Sequence, residues 1–414
     1  MKNFLVHNEN VKKEMLESIG LATIEDLFSQ VPNEARMKSL DLPNAISEME
    51  VQKNIKKLAN KNKTDYVSFM GGGVYNKFIP ACIGQISQRF EFLTAYTPYQ
   101  AEISQGTLQI MYEFQTMISR LTGMDISNAT VYDGGTACAE AILMARRISK
   151  KTKALVSQNI NPEYKKVIDT YAWSNEIEIE YFETLPANTA EYACVLIQTP
   201  DYFGEIIEPE IVDTLLIVCT DISTLSILKP PAEYGADIVV GDIQTLGIAQ
   251  SFGGPHAGFI ACREKYMRQL PGRLAGRTVD KDGKQAFCLT IQTREQHIKR
   301  EKATSNICSN QALIALCATV YLSVLGEKGF KQAGYLSSKQ AHVLSQKLNS
   351  KGVKTLNKEF FNEFVIEVSD SVKTLAKLKS EGILGGIKLD DKRILVATTE
   401  MVSDADIDNY VNCF

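Results

Sequence analysis

The sequence predicts an α/β protein built around a mostly parallel β-sheet. Short apolar runs, rich in β-branched residues, occur at 154–157, 193–198, 215–220, 238–241 and 258–262. Strands that are apolar throughout are typical of a sheet that is buried on both faces. Longer helical stretches separate these runs, as at 136–149 and 163–171. Such strand–helix alternation indicates helices packed on the faces of the sheet.

The chain is long enough, at 414 residues, for two or three domains, and its beginning differs from the rest. Residues 1–63 predict an N-terminal helical arm. Ser47 and Glu50 have the spacing of a capping box, and apolar residues follow at helical intervals from Val51 to Leu58. This combination is typical of the start of an amphipathic helix.

Two further domains are expected after the arm, a large α/β domain at 64–325 and a small α+β domain at 326–414. An apolar helix is predicted at 310–325, and Gly326 and Gly329 are expected to end it. The elements predicted beyond these glycines are a helix at 331–349, strands at 361–368 and 394–398, and a closing helix at 405–411.

Composition excludes several classes of protein. The net charge is −4, which gives no basic surface for nucleic acid or an anionic membrane. The N-terminus lacks the apolar core of a secretory signal, and the apolar stretch at 312–325 is shorter than the roughly 20 residues of a membrane span. Nine cysteines without CxxC spacing indicate a reducing compartment, so we expect a cytoplasmic location. Four histidines without ligand spacing predict no metal site.

A glycine-rich turn precedes the helix expected at 136–149. Gly134, Gly135 and Thr136 follow Asp133. Unobstructed backbone N–H groups at a helix N-terminus can bind an anion, phosphate especially. The same residues also suit an ordinary tight turn between a strand and a helix, and a single Gly-Gly-Thr does not separate the two interpretations.

Asp221 ends a strongly apolar strand. The carboxyl ends of strands in α/β sheets face the ligand crevice, where a carboxylate could pair with a pyridinium nitrogen. The alternative is a helix N-cap or turn aspartate.

A strand, a polar turn and a glycine-rich loop occupy residues 236–258, an arrangement by which one class of pyridoxal-phosphate (PLP) enzymes presents its Schiff-base lysine. Here the stretch from Ala232 to Cys262 contains no lysine. The nearest, Lys229, precedes two prolines and is expected at the surface. His256 lies in the glycine-rich loop and is the one histidine with a possible role.

A polar segment rich in aromatic residues, at 89–106, shows neither helical nor strand periodicity. It could form an extended loop that holds a small polar ligand, or it could pack at a subunit interface. Its candidate residues are Tyr96, Thr97, Tyr99, Gln100, Glu102, Ser104 and Gln105.

Taken in order, these segments resemble the glycine cleavage system P-protein family, in its subunit 1 or N-terminal-half form. The resemblance covers nearly the whole chain and rests on long motifs such as EFLTAYTPYQ at 91–100 and REQHIKREKATSNIC at 294–308. Shorter matching motifs occur at 40–44, 115–118, 121–125 and 271–273.

The resemblance implies PLP-dependent transferase fold type I and a share in glycine decarboxylation. In that family only the other half, or the separate subunit 2, carries the PLP lysine, and Thr245 lies near the corresponding position here. PLP would then be bound covalently by subunit 2 and not by this chain. With subunit 2, in an α2β2 heterotetramer, the complex would decarboxylate glycine and pass the aminomethyl group to the lipoyl group of H-protein.

By the same resemblance, this chain alone has no catalytic residue. Residues 96–105 would contribute to the partner's site, while Gly134, Gly135, Thr136, Asp221, Thr245 and His256 would form a degenerate cofactor pocket. The sequence departs from the family pattern at Gly135, where alanine is more common, at His256, where tyrosine is usual, and at Ala101, where proline is usual.

Two other hypotheses remain open from the sequence. The chain could be an autonomous PLP enzyme that uses an unexpected lysine such as Lys229. It could also be a scaffold that docks H-protein without contributing to the reacting site.

Overall fold

A computed structural model describes residues 7–37, 39–93, 96–209 and 212–414. The chain divides into two compact units, residues 1–64 and 65–414. The further division of the second unit at residue 325, which the sequence suggests, stays a prediction. The described helices are α1 (Glu9–Ser18), α2 (Glu48–Ala59), α3 (Ala81–Ser87), α4 (Phe90–Leu93), α5 (Gln105–Thr122), α6 (Gly134–Ser149), α7 (Pro162–Ser174), α8 (Gln296–Lys299), α9 (Ala312–Ser350), α10 (Ser371–Ser380) and α11 (Asp404–Val411).

The first unit contains helices α1 and α2. The predicted capping box at the start of α2 is confirmed, because Ser47 Oγ accepts a hydrogen bond from the Glu50 N–H and the Glu50 carboxylate accepts one from the Ser47 N–H. The apolar residues of α2, among them Val51 and Leu58, are exposed. Tertiary burial therefore contributes little to α2, and its cap and its first-turn acidic residues matter more.

The strands of the second unit form a seven-stranded sheet and several smaller ones. Their bounds are β1 (Val67–Ser68), β2 (Ile126–Ser127), β3 (Lys153–Ser157), β4 (Glu178–Phe182), β5 (Cys194–Gln198), β6 (Leu215–Cys219), β7 (Ile238–Asp242), β8 (Gly258–Cys262), β9 (Leu274–Val279), β10 (Gln285–Thr290), β11 (Lys354–Thr355), β12 (Glu363–Glu367), β13 (Ile383–Leu384), β14 (Ile387–Lys388) and β15 (Arg393–Ala397).

The large sheet has the order β2-β8-β7-β6-β5-β3-β4 and is mostly parallel. All pairs from β4 to β7 are parallel, whereas β8 runs antiparallel to both β7 and β2. The five predicted strands are confirmed. The reversal at β8 follows from its connection, since a plain loop without a helix joins β7 to β8, and parallel strands usually need a helical crossover.

Both faces of the large sheet are covered, which explains the uniformly apolar strands. In β3, Ala154 and Val156 pack on the face that α6 covers, while Leu155 packs on the opposite face with residues of α5 and α9. Because successive side chains of a strand point to opposite faces, each residue must be apolar when both faces are buried.

Helix α9 consists of two helical segments that join at a kink at Gly326, as predicted. It runs from Ala312 to Ser350 with non-helical dihedral angles at Gly326 alone (φ 59°, ψ −175°), and Gly329 does not interrupt it. Glycine reaches a positive φ at little steric cost, so the chain bends there and continues. Among the described residues, α9 is the one helix that is long and apolar enough to cross a membrane. The core helix of a soluble protein passes the same test, and 44% of the most apolar stretch of α9 is buried.

The C-terminal part has its own four-stranded sheet, in the order β11-β12-β15-β14, with antiparallel pairs throughout. The predicted strands and closing helix of this part are confirmed with slightly different bounds. Strand β1 pairs in parallel with β13, so residues that begin the second unit join this part of the fold. Phe69, directly after β1, is fully buried in the C-terminal core.

Candidate functional site

A small cavity lies where the parallel strands end. Its volume is about 40 Å³, and its walls include Gln198 at the end of β5, Cys219 at the end of β6 and Asp242 at the end of β7. Glu363 of β12 closes it from the C-terminal part. The carboxyl ends of parallel strands are the usual ligand position in α/β sheets, but small-molecule sites typically measure about 300–1,000 Å³.

Four carboxylates line this cavity, and no lysine, arginine or histidine is among the described residues that do. They belong to Asp201, Asp221, Asp242 and Glu363. Burial raises the pKa of Asp201 to about 6. Because like charges repel strongly in a low-dielectric interior, each of these carboxyl groups disfavours a further anion in the cavity when it is ionised.

The carboxylate of Asp242 lies against the first turn of α6. Its Oδ2 accepts a hydrogen bond from the Gly134 N–H at 3.1 Å, and its Oδ1 accepts one from the Gln244 N–H at 2.8 Å. Burial is the main cause that raises the pKa of Asp242 to about 7, and these two hydrogen bonds act in the opposite direction. Tyr164 covers the same turn, because a Cβ on Gly134 would lie 2.4 Å from the Tyr164 hydroxyl.

Asp221 and Thr245, two residues that the sequence singled out, are in direct contact. The Thr245 hydroxyl donates a hydrogen bond to Asp221 Oδ1 at 2.7 Å. The same carboxylate accepts hydrogen bonds from the N–H and the hydroxyl of Ser223. Asp221 therefore caps the short 3₁₀ turn after β6, which is the structural alternative weighed for it from the sequence.

Glu363 joins the C-terminal sheet to the segment after β1. It accepts hydrogen bonds from the Gly72 N–H at 2.6 Å and from the Tyr75 hydroxyl at 2.8 Å. Burial is the largest cause that raises the pKa of Glu363 to about 7. Its protonated form is therefore favoured in the folded chain.

The remaining residues of the predicted degenerate pocket lie beside the cavity. Thr136 donates its N–H to Asp133, the N-cap of α6, at 2.7 Å. Gly135 is tightly packed, since a Cβ there would lie 3.2 Å from Val167. His256 Nδ1 is 4.0 Å from Asp242 Oδ2, and its buried Nε2 has no hydrogen-bond partner among the described residues.

The segment 96–105 does not line the cavity within the described residues. The Tyr96 side chain is 89% exposed, whereas the Tyr99 hydroxyl accepts a hydrogen bond from the buried Arg273 at 3.3 Å. Gln105 begins α5 and binds the backbone of Phe287. Thr97 and Ser104 are half-buried, and Gln100 and Glu102 are exposed. Within this chain the two tyrosines therefore have different surroundings.

The sequence motifs do not indicate five residues that line the cavity, namely Asp242, Glu363, Tyr75, Tyr164 and Asp201. Asp242 had a signal, because it ends a buried strand just as Asp221 follows the neighbouring one. Glu363 had none, since it comes from a distant part of the chain.

Comparison with known proteins decides the family. The family model described as glycine cleavage system P-protein matches residues 2–414. The chain belongs to the glycine cleavage system P-protein family. A relative from Geobacillus thermodenitrificans, named probable glycine dehydrogenase (decarboxylating) subunit 1, is 44% identical over 440 residues, which cover 100% of this chain and 98% of the relative.

Solved structures agree with the P-protein family. A crystal structure of glycine decarboxylase (P-protein) of the glycine cleavage system, in inhibitor-bound form, superposes with a TM-score of 0.92 at 38% identity and covers 99% of both chains. Lactobacillus brevis glutamate decarboxylase, at 10% identity and covering 94% of this chain and 97% of its own, shares the fold with a TM-score of 0.65. The chain therefore has PLP-dependent fold type I.

The cavity of this P-protein family member does not fit PLP. The Gly134 N–H, which would face a phosphate, already binds the Asp242 carboxylate. Thr245, and not a lysine, lies near the Asp221 carboxylate. A phosphate would also meet the carboxylates that line the cavity without a compensating cation among the described lining residues. No reaction step through PLP is therefore assigned to this cavity.

Lys229 is exposed, as the sequence predicts, with its ammonium 5.8 Å from the ring centre of Tyr234. It is not among the residues that line the cavity. This position argues against an autonomous PLP enzyme that uses Lys229.

Proposed function

We propose that this chain works as subunit 1 of the glycine cleavage system P-protein. Together with subunit 2, in an α2β2 heterotetramer, it would decarboxylate glycine and transfer the aminomethyl group to the lipoyl group of H-protein. PLP, which supplies the electron sink for the loss of CO₂, would be held covalently by subunit 2. The observation that carries the proposal is the cavity of this P-protein family chain. Thr245 binds Asp221 there, and the described residues that line the cavity include four carboxyl groups but no lysine, arginine or histidine.

The contribution of this chain would be made at an interface with subunit 2. Among the described residues of the second unit, large apolar side chains that are each more than half exposed concentrate at 78–103, namely Phe78, Phe90, Leu93, Tyr96 and Ile103. Concentrated exposed apolar side chains are typical of a protein–protein contact. They support placing this segment against the partner, where it would help to exclude water from the reacting glycine. We also propose that the chain is cytoplasmic and that it has no membrane or nucleic-acid partner.

The first prediction is that activity requires both subunits. The exchange of bicarbonate into the glycine carboxyl group should be measured with PLP and lipoyl H-protein, with this chain alone and then with subunit 2 added. We expect exchange only in the mixture. Exchange by this chain alone would refute the proposed division of roles.

The second prediction concerns the two tyrosines of the segment 96–105. Tyr96→Phe in the assembled complex should lower kcat/KM for glycine by about 5- to 150-fold, the cost of one oriented hydrogen bond. Tyr99→Phe is the matched control, because its hydroxyl already binds Arg273 within this chain, and its effect should be smaller. PLP content and assembly should stay unchanged in both variants.

The same experiment tests the scaffold hypothesis. A chain that only docks H-protein would leave glycine exchange at the wild-type rate in both tyrosine variants. Wild-type kinetics in Tyr96→Phe would show that this hydroxyl does not belong to the proposed site, and its ring would keep only a packing role.

A further inference from the structure

Helix α6 begins in a position that is suited to an anion. Its sixteen residues start at Gly134, and its first-turn N–H groups carry the positive end of the helix dipole. Two carboxylates of this chain already bind that turn. Asp133 accepts from the Thr136 N–H, which is the ordinary role of an N-cap, and Asp242 accepts from the Gly134 N–H.

Asp242 is the unusual member of this pair, because it comes from a different element. It ends β7, directly after Gly241, whose missing Cβ allows the strand to approach the Thr220 carbonyl oxygen; a Cβ there would lie 2.1 Å from that oxygen. The carboxylate is held at both oxygens by the Gly134 and Gln244 N–H groups. Its side chain is only 10% exposed.

We propose that the Asp242 carboxylate fills the anion position at the start of α6, and that this residue determines that the cavity takes no phosphate-bearing ligand. The inference rests on the proposed function in that it explains why a cofactor phosphate has no place in this chain. An entering phosphate would have to displace a buried, doubly hydrogen-bonded carboxylate. It would also meet the negative charge of Asp133 beside it.

The test uses the full chain without subunit 2 and inorganic phosphate as the probe. Asp242→Ser keeps a hydroxyl that can accept from the Gln244 N–H, so the turn is preserved while the Gly134 N–H is released. Asp201→Ser is the matched control, because it removes a carboxylate from the same cavity but not from Gly134. Phosphate binding is followed by ³¹P NMR line width and by Tm, with sodium chloride at equal ionic strength as the reference.

We expect Asp242→Ser to bind phosphate at least about tenfold more tightly than the wild-type chain. Its Tm should rise by about 1–2 °C at a phosphate concentration near ten times Kd. Wild type and Asp201→Ser should show neither change. Asp242→Ala repeats the test if the serine variant does not fold.

Three results would overturn the inference. They are saturable phosphate binding by the wild-type chain, equal binding by Asp201→Ser, or no binding by a folded Asp242→Ser or Asp242→Ala chain. The exchange assay with subunit 2 stays separate. If exchange with subunit 2 fails while Asp242→Ser binds phosphate, only the proposed function is refuted. If exchange succeeds while the folded Asp242→Ser chain does not bind phosphate, only the role of Asp242 is refuted.

Discussion

Raising the pH from about 5.5 to about 7.5 is expected to lower the free energy of unfolding of this chain by about 2–4 kcal/mol. The main cause is the pair of buried carboxyl groups Asp242 and Glu363, and Asp201, whose pKa is raised to about 6, acts in the same direction. Burial raises the pKa values of Asp242 and Glu363 to about 7, from ordinary values of 3.8 and 4.5. A carboxyl group whose pKa is higher in the folded chain contributes stability that is complete below its unfolded pKa and is lost as the pH rises through its folded pKa.

The groups around Glu363 determine how large this effect is. The Tyr75 hydroxyl and the Gly72 N–H stabilise its charged form, whereas Asp221 and Asp201 disfavour it. His256 acts in the opposite direction, because burial lowers its pKa and its contribution is lost as the pH falls. The fall in the free energy of unfolding between pH 5.5 and 7.5 is therefore smaller than the sum of the contributions of the carboxyl groups.

Glu363→Gln provides the measurement. Glutamine can still accept from the Gly72 N–H, but it has no proton to lose, so the fall between pH 5.5 and 7.5 should shrink by about 1–2 kcal/mol. Urea unfolding at each pH gives the free energies. The control is Glu367→Gln at an exposed position of the same strand, which should keep the wild-type slope. An unchanged slope in Glu363→Gln would show that this carboxyl group is ionised throughout.

Lys77→Met should destabilise the chain by about 3–5 kcal/mol, because it leaves the buried Glu400 without its cation. The Lys77 ammonium lies 3.2 Å from Glu400 Oε2, and the two side chains are 2% and 9% exposed. The ammonium also donates to the Ser337 hydroxyl at 3.1 Å. Removing one member of a buried ion pair costs more than the pair itself contributes.

A double-mutant cycle separates the charge effect from lost packing. Lys77→Met combined with Glu400→Gln should be much more stable than the sum of the single changes implies, since no buried charge remains. Lys331→Met is the control, because its 2.6 Å pair with Glu327 is exposed and should contribute less than about 1 kcal/mol. Urea midpoints that move equally for Lys77→Met and Lys331→Met would contradict the prediction.

The strands could be predicted because two covered faces require uniformly apolar residues, and β3, β5 and β6 show that pattern directly. Asp221 could be predicted to lie at the ligand crevice because it follows the apolar strand β6, and it does line the cavity. Helix α5 was missed although its buried residues Leu108, Met111 and Phe114 recur at helical intervals.

Other features had no local signal. The contact of Glu363 with Gly72 depends on how the C-terminal sheet meets the start of the second unit, which no short motif specifies. The role of Asp242 depends on the close approach of β7 to the first turn of α6. Pairing between distant segments is set by the whole fold, and a reading of neighbouring residues does not reveal it.

The pairing of β1 with β13 has a consequence for synthesis on the ribosome. The Val67 N–H donates to the Gly382 carbonyl, and the Ala397 N–H donates to the Phe69 carbonyl. Residues 67–69 leave the exit tunnel about 300 residues before their partners at 382–397 emerge. Phe69, which is fully buried in the folded structure, therefore lacks these partners while the intervening residues are made. Closing contacts of such long range is slow, and during that interval the nascent chain presents a hydrophobic segment for chaperones to protect.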